Sequence, residues 1–344
     1  MLDSETKSIG IIGAGSWGTA LAWHLSHKGH NVTMWSSLAD EIDDLIEHRE
    51  HKKKLPGVIL PENVSFTSTM SEAIDGKTLV IVAVPSPYVR STAQEMNSYV
   101  ADGQVVVNVA KGIEESTLKT LSAIIKEEIP QAEVAVLTGP THAEEVGAGM
   151  PTAIVAGCRN HEVAKMIQDI FMSESLRVYS NTDVLGMETG AALKNVMALA
   201  AGVADGIGCG DNLKAALITR GIHEMVRLGV AMGCSSETFY GLTGLGDLIV
   251  TCASMHSRNR RAGILIGQGK SVQEAMDEVS MVVEGVYAAK AAMELAQKYG
   301  VELPIVEEMN KVLFEDKNPH QALADLMKRS KKPETDVLVD VADF

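Results

Sequence analysis

The chain has 344 residues, 46% hydrophobic and 22% charged, a composition typical of a globular protein long enough for two domains. Its formal net charge of −15 argues against nucleic-acid binding, which needs a basic surface to neutralise phosphates. The polar start Met1–Lys7 and the lack of an apolar run of roughly 20 residues predict neither a secretory signal nor an integral membrane segment. The 4 scattered cysteines, without a C-x-x-C pair, predict a cytoplasmic protein with reduced thiols and no metal site.

Short runs rich in Val and Ile alternate with amphipathic segments in the first half of the chain. The predicted strands are Lys7–Ile12, Asn31–Trp35, Leu79–Val84, Gln104–Val109, Glu133–Leu137 and Ala153–Ala156. The predicted helices between them include Trp17–Lys28, Tyr88–Tyr99 and Ser116–Glu128. Because strands separated by helices form right-handed βαβ units, this half is predicted to be a doubly wound, mostly parallel sheet with helices on both faces.

From about Thr182 the hydrophobic pattern has a helical period. The predicted helices are Asp183–Asp205, Leu213–Met232, Asn259–Gly267, Val272–Glu278, Glu284–Tyr299 and Ile305–Phe314. The sequence therefore predicts an α/β fold in three parts: a sheet domain over residues 1–181, an all-α domain over 182–330 and a frayed tail over 331–344.

A glycine-rich turn, GAGSWG, joins the first predicted strand to the first predicted helix. In that context Gly13 permits a tight turn, Gly15 allows backbone to approach a pyrophosphate, and Gly18 lets the helix pack on the strand. The N–H groups at the start of the helix would face the phosphates. The sequence therefore predicts a Rossmann-type dinucleotide-binding domain; the open alternative is a strand-to-helix turn without a ligand.

The end of the second strand usually determines which dinucleotide is bound. An acid there holds the ribose hydroxyls of NAD and repels the extra phosphate of NADP. Here Trp35 is followed by Ser36 and Ser37, and the first acids, Asp40 and Glu41, come later. Two hydroxyls can donate to a phosphate and do not repel it, so NADP is permitted but not required, and the preference between NADPH and NADH stays undecided.

Three later strand ends carry polar or cationic residues, and ligands of open α/β sheets bind beyond such ends. Val84–Ser86 could cover the dinucleotide, and Lys111 places an ammonium group after the fourth predicted strand. Gly139 ends the next strand, and Thr141 with Glu144 forms a capping-box pattern for a following helix. Thr141 is therefore either a helix cap or a ligand contact.

The run GAALKNVMA in the first helix of the second half predicts a buried lysine. Lys194 and Asn195 interrupt small and apolar residues, and a buried lysine is costly unless it is paired or functional. Desolvation and nearby cations would lower the pKa of Lys194 towards neutrality, which suits proton exchange with a carbonyl or alkoxide oxygen. The alternative is a lysine that reaches the surface or forms a structural ion pair. His142, His223 and His256 are interpreted as ordinary surface or capping residues.

Two further segments complete the candidate site. The stretch Gly241–Cys252 is predicted to be a loop whose glycines allow close backbone approach, leading into a short buried segment, and Asp247 either pairs with Lys194 or caps a helix. The stretch Ser257–Arg261 holds three arginines around Asn259. Arginine binds phosphate through a planar fork, so this cluster is either the handle for a phosphorylated substrate or a solvated charge run.

Taken in order, these motifs resemble one family over nearly the whole chain, from Ser8 to Lys328. They include GAGSWGTALA, AKGIE, LTGPTHAEE, GAALKNVMAL, GLTGLGDLIVTC and SRNRR. The chain resembles the NAD(P)-dependent glycerol-3-phosphate dehydrogenases of the bacterial type. The resemblance implies reversible reduction of dihydroxyacetone phosphate to sn-glycerol 3-phosphate with NADP or NAD, supplying glycerophospholipid synthesis.

The resemblance also implies roles for individual residues. Lys194 would be the proton donor and acceptor, with Asp247, Asn195 and Thr251 as the other catalytic residues. The implied substrate contacts are Lys111, Gly139, Thr141, Lys194, Asp247, Ser257, Arg258 and Asn259. The implied coenzyme contacts are Gly13, Gly15, Ser16, Trp17, Gly18, Ser36, Ser37, Lys111, Ala143, Arg258, Val282 and Glu284. Many relatives have a basic residue or His where this chain has Ser36 and Ser37.

Two rival functions stay open from the residues alone. One is a related dehydrogenase in which the arginines bind the carboxylate of a hydroxy acid or sugar acid. The other is a protein that senses a dinucleotide without turnover, against which stands Lys194 in its apolar helix. The residues do not decide feedback regulation or the oligomeric state, a homodimer included.

Overall fold

The computed structural model describes residues 5–334 and contains one eight-stranded sheet. Its strands are β1 Ser8–Ile12, β2 Asn31–Trp35, β3 Val64–Thr67, β4 Leu79–Val82, β5 Val105–Asn108, β6 Glu133–Thr138, β7 Thr152–Gly157 and β8 Leu176–Asn181. They lie in the order β3-β2-β1-β4-β5-β6-β7-β8, and neighbouring strands are parallel except β6 and β7. The chain reverses beside β1, where dinucleotides bind in doubly wound sheets, so the predicted fold class is confirmed.

Both strands that the sequence analysis missed lie at the edges of the sheet. β3 pairs only with β2, and β8 pairs only with β7. Along β8 the residues alternate between buried and exposed at the start, and β3 has exposed or half-buried residues at its centre. Because these strands bury one face at most, they lack the continuous Val and Ile runs that reveal the central strands.

The helices of this half are α1 Ser16–His27, α2 Ala39–His48, α3 Val89–Met96, α4 Leu121–Glu128, α5 Ala143–Gly147 and α6 His161–Phe171. They cover both faces, because alternate residues of each strand enter different cores. Ile9 and Ile11 pack with α1, α2 and α6, whereas Ile12 packs with α3 and α4. The helix predicted from Ser116 begins only at Leu121, because the preceding segment turns back at Leu118, whose φ is 58°.

The second half is helical. Its helices are α7 Val184–Gly206, α8 Asp211–Ala231, α9 Ser236–Tyr240, α10 Asp247–Ala253, α11 Arg258–Gly267, α12 Val272–Val279, α13 Glu284–Tyr299, α14 Pro304–Phe314 and α15 Pro319–Met327. The central helix α7 is buried along most of its length. It packs closely on α11 because both carry glycine at the contact: a Cβ on Gly202 would lie 2.1 Å from the Arg260 carbonyl oxygen, and one on Gly263 2.2 Å from that of Leu199.

The predicted domain boundary near Asn181 falls between the end of β8 and the start of α7, where the Asp183 side chain accepts a hydrogen bond from the Gly186 N–H. Within residues 5–334, no helix is long and apolar enough to cross a membrane. Most of the tail predicted to be frayed, from residue 335 onward, lies outside the described residues.

Candidate active site

A single cleft brings the sheet's strand ends against the helical half. The predicted site residues that line it are Gly13, Gly15, Ser16, Trp17, Ser36, Ser37, Lys111, Thr141, Ala143, Lys194, Asn195, Thr251, Ser257, Arg258, Asn259, Val282 and Glu284. Three predicted residues lie behind this lining: Gly18, Gly139 and Asp247. The same cleft also contains Glu41, Lys54 and His142, to which no binding role was assigned from the sequence, and Arg261 of the predicted arginine cluster.

The glycine turn has the shape that a pyrophosphate requires. Gly13 has φ 116°, which favours glycine, and a Cβ on Gly18 would lie 2.2 Å from the Gly13 carbonyl oxygen. A Cβ on Gly15 would meet no protein atom within 4 Å, so the space beside this residue opens into the cleft. Helix α1 begins at the next residue, Ser16, and its first N–H groups are available to an anion. These residues therefore fit a dinucleotide.

Lys194 and Asp247 form a buried ion pair at the centre of the cleft wall. The Lys194 Nζ lies 2.8 Å from Asp247 Oδ1 and 2.7 Å from Thr251 Oγ1, to both of which it donates. The other carboxylate oxygen, Oδ2, accepts from Lys111 Nζ at 2.6 Å, and Lys111 also donates to the Gly139 carbonyl at 2.9 Å. Pairing is therefore the role that the structure gives Asp247, which makes no side-chain helix cap.

The charges of this cluster set its protonation. Burial lowers the pKa of Lys194 to about 8, opposed by Asp247 and reinforced by Lys111. Burial alone would raise the pKa of Asp247, but the two lysines outweigh it and lower that pKa. Lys194 is therefore protonated at neutral pH, and its pKa is close enough to neutrality for the ammonium group to lose its proton. The side chain can thus act as the acid in a reduction and as the base in an oxidation.

The glycine segment before Asp247 is helical, which corrects the predicted loop. A short π-helical turn, Leu242–Gly246, leads directly into α10. A Cβ on Gly244 would lie 2.0 Å from the Phe239 carbonyl oxygen, so this glycine serves close packing. Asp247 and Thr251 are one turn apart on α10, and both therefore face Lys194.

The N-terminus of α11 provides the cationic side of the cleft. Ser257 caps this helix by accepting from the Arg260 N–H. Arg258 lines the cleft and, within residues 5–334, has no hydrogen-bonded acceptor; burial lowers its pKa, and the nearest acids act only through space. Arg260 instead turns away and pairs with Asp205 at 2.7 Å. The arginine cluster thus divides into two arginines that line the cleft, Arg258 and Arg261, and a structural one, Arg260.

Asn259 and Asn195 are tied together below Arg258. The Asn259 amide donates to Asn195 Oδ1 at 3.0 Å and accepts from the Gly285 N–H at 2.8 Å. This chain of bonds fixes α11, α7 and the start of α13 to one another at the floor of the cleft.

Comparison with known proteins agrees with this geometry. The family models described as the N-terminus and C-terminus of NAD-dependent glycerol-3-phosphate dehydrogenase match residues 8–164 and 183–324. The chain belongs to this family. It is 57% identical to "Glycerol-3-phosphate dehydrogenase [NAD(P)+]" of Agathobacter rectalis, over 95% of this chain and 97% of that protein. A relative of the same name from Fusobacterium nucleatum is 56% identical, over 95% and 98%.

A crystal structure supports the same relationship. Glycerol-3-phosphate dehydrogenase of Coxiella burnetii superposes with a TM-score of 0.91 at 35% identity, covering 94% of this chain and 99% of that one. The chain is accordingly a member of a family of NAD(P)-dependent oxidoreductases, and the resemblance read from its motifs is confirmed.

Two predictions near α5 need correction in this family member. Thr141 and Glu144 form no capping box, because α5 starts at Ala143 with His142 at its N-cap position and no side-chain cap. The Thr141 hydroxyl donates instead to the Gly139 carbonyl at 3.2 Å. His142, interpreted from the sequence as a surface or capping residue, is half-buried in the cleft lining; burial and Lys194 lower its pKa.

Two glutamates, Glu188 buried and Glu284 half-buried, connect the sheet and helical halves around the cleft. Glu284, at the start of α13, accepts from the Ser86 N–H at 3.1 Å and from its hydroxyl. Glu188, six residues before Lys194 on α7, accepts from the Ser122 N–H at 2.9 Å, from its hydroxyl and from the Asn108 amide at 3.2 Å. Burial raises the pKa of both carboxyls. The role of Glu188 was not predicted from the sequence, although a charged residue in an apolar helix is the same signal as that of Lys194.

Proposed function

We propose that the protein catalyses reversible reduction of dihydroxyacetone phosphate to sn-glycerol 3-phosphate with NADH or NADPH. One observation carries the proposal: a buried lysine with a pKa of about 8 lies in the same cleft as the dinucleotide turn and an arginine that has no hydrogen-bonded acceptor within residues 5–334. A proton donor, a coenzyme site and a cation for a phosphate are what this reaction needs. The names of the relatives support the same assignment.

Lys194 is the proposed proton donor. The bound coenzyme supplies the hydride. Lys194 Nζ gives its proton to the developing alkoxide oxygen, and Asp247 and Thr251, at 2.8 and 2.7 Å, hold the ammonium group in position. Lys111 shares the Asp247 carboxylate and keeps it anionic throughout. In the oxidation the same amine, once neutral, takes the proton from the substrate hydroxyl.

Arg258 is the proposed phosphate contact. Its guanidinium lines the cleft close to Ser257 and Asn259 at the start of α11, and no acceptor within residues 5–334 occupies it. A phosphate dianion would satisfy a desolvated guanidinium through two charge-assisted hydrogen bonds. The N-terminus of α11 adds a favourable dipole at the same place.

The product would supply glycerophospholipid synthesis, and the proposed location is the cytoplasm. The four cysteines are free, as is usual in a reducing compartment. The test is cell fractionation with antibody against the chain, together with the glycerol 3-phosphate content of cells that lack it. A membrane or secreted location, or an unchanged glycerol 3-phosphate pool, would contradict these roles.

The catalytic assignment is tested by Lys194→Met in an assay of dihydroxyacetone phosphate reduction with each coenzyme. Removing the proton donor should lower kcat by about 10²- to 10⁴-fold while reduced coenzyme still binds. The matched control is Lys165→Met, because Lys165 is an exposed lysine on α6. Near-normal turnover in Lys194→Met would exclude the proposed role. Wild-type activity on hydroxy acids but not on triose phosphate would favour the carboxylate-binding alternative.

A further inference from the structure

At the end of the cleft next to β2, where the adenosine of a coenzyme would bind, the structure contains a carboxylate that the two serines after β2 do not suggest. Ser36 and Ser37 line the cleft, as a coenzyme-contacting role requires, and Glu41 and Lys54 line it beside them. Glu41 lies in the first turn of α2, five residues beyond Ser36, and Lys54 lies in the turn that follows this helix. The end of β2 itself carries no acid, but Glu41 of the next helix places a carboxylate at the same end of the cleft.

The Glu41 carboxylate is held rigidly by three donors. Its Oε2 accepts from the Ser36 hydroxyl at 2.6 Å. Its Oε1 accepts from His51 Nε2 at 2.9 Å and from Lys54 Nζ. The Glu41 side chain is only 12% exposed and that of His51 only 6%, whereas Lys54 is 35% exposed. The carboxylate therefore has a fixed place at the rim of the coenzyme site.

This arrangement changes the interpretation of Ser36. Because its hydroxyl donates to Glu41 and accepts from the Leu38 N–H at 3.3 Å, Ser36 has no free donor for a phosphate. Burial alone would raise the pKa of Glu41, but His51, Lys54 and Ser36 hold it at about 2, so the group is an anion at any working pH. An anion beside a ribose favours its hydroxyls as donors and repels a phosphate on the same atom.

We propose that Glu41 is a specificity-determining residue that disfavours the 2′-phosphate of NADPH relative to the free 2′-hydroxyl of NADH. Lys54 opposes it by neutralising part of its charge from the solvent side. The pair sets the ratio between the two coenzymes, which the serines alone leave open. The kinetic test of this proposal rests on the proposed function, whereas the binding test does not, because coenzyme binding is measured without substrate.

The test compares NADH and NADPH on Glu41→Gln, which keeps the shape and one acceptor oxygen but removes the charge. Dissociation constants come from nicotinamide fluorescence titrations without substrate, and kcat/KM from dihydroxyacetone phosphate reduction. The ratio of NADPH to NADH affinity should rise by about tenfold or more, since a like charge within a few Å is lost. Asp40→Asn is the matched control: it removes the same charge from an exposed residue of the same helical turn and should leave the ratio unchanged.

Lys54→Met tests the same idea from the opposite direction. Exposing the full charge of Glu41 should lower the ratio of NADPH to NADH affinity, and this variant stays informative if Glu41→Gln fails to fold. An unchanged or lowered ratio in folded Glu41→Gln, or a raised ratio in Lys54→Met, would overturn the proposal. If the wild type binds both coenzymes but does not reduce dihydroxyacetone phosphate, the proposed function fails while the binding ratios still decide the role of Glu41.

Discussion

Asp247→Asn removes the anion between the two lysines of the site and keeps a side chain of the same shape. Lys194 loses the carboxylate that raises its pKa, and Lys111 loses the partner that neutralises it. Both effects favour the neutral amine of Lys194. We therefore expect the pKa of Lys194 to fall below its wild-type value of about 8.

The size of this fall follows from the distance between the charges. At 2.8 Å an ion pair gains about 1.5 kcal/mol with the dielectric constant of water and about 6 kcal/mol at an effective value of 20. One pKa unit corresponds to about 1.36 kcal/mol, so the loss is worth about one to four units. The pKa of Lys194 should reach about 7 or lower.

The assay is the dependence of kcat/KM for dihydroxyacetone phosphate on pH, which reports groups of the free enzyme. Reduction needs the protonated lysine, so its rate falls as pH rises through the pKa. In Asp247→Asn this fall should begin at least about one pH unit lower than in the wild type, and the rise of the oxidation rate should shift equally. Asp102→Asn, at an exposed turn, is the control. The same profile in Asp247→Asn and wild type would refute the reasoning.

Three other substitutions separate binding from stability. Arg258→Met should raise KM for dihydroxyacetone phosphate about a hundredfold with little change in Tm, because the phosphate loses its charged donor. Arg260→Met should leave KM near the wild-type value and lower stability by about 1–3 kcal/mol in urea unfolding, because it breaks a largely buried pair with Asp205. Burial raises the pKa of Glu224 in the folded protein from 4.5 to about 7, so ionisation of this carboxyl destabilises the fold as pH rises between these values. The stability of Glu224→Gln relative to the wild type should therefore increase by up to about 3 kcal/mol across that window. Parallel plots of unfolding free energy against pH for the two proteins would contradict this.

The sequence predicts the central sheet and most helices because their burial is visible in the pattern. Strands with both faces covered read as Val and Ile runs, and α7 reads as an apolar helix interrupted by Lys194. The prediction of a loop before Asp247 was wrong because glycines occur both in loops and in helices that pack closely on another backbone. The predicted close approach of backbone is found at Gly244 beside Phe239, but the sequence does not show that the segment making it is helical.

The sequence shows where charged residues occur, but it does not show which residues they pair with. Lys194 and Asp247 are 53 residues apart, and the sequence offered pairing and capping equally. Within the arginine cluster, Arg258 and Arg261 lie three residues apart on one face of α11, while Arg260 faces Asp205. The composition of the cluster is visible in the sequence, but its division between cleft and scaffold depends on which way the helix is turned.

The distribution of charge explains how a protein of net charge −15 can accept two anionic ligands. At the catalytic end one carboxylate, Asp247, faces both Lys111 and Lys194, so a positive charge remains, and Arg258 adds another. At the end of the cleft that we propose for the adenosine ribose, Glu41 is a fixed anion paired with Lys54. The proposed substrate end of the cleft therefore has more cationic side chains than paired carboxylates, whereas at the other end Glu41 is paired with Lys54 and a phosphate is attracted less. Arg258 and Glu41 would then act on two different phosphates, the first attracting that of the substrate and the second disfavouring the 2′-phosphate of NADPH.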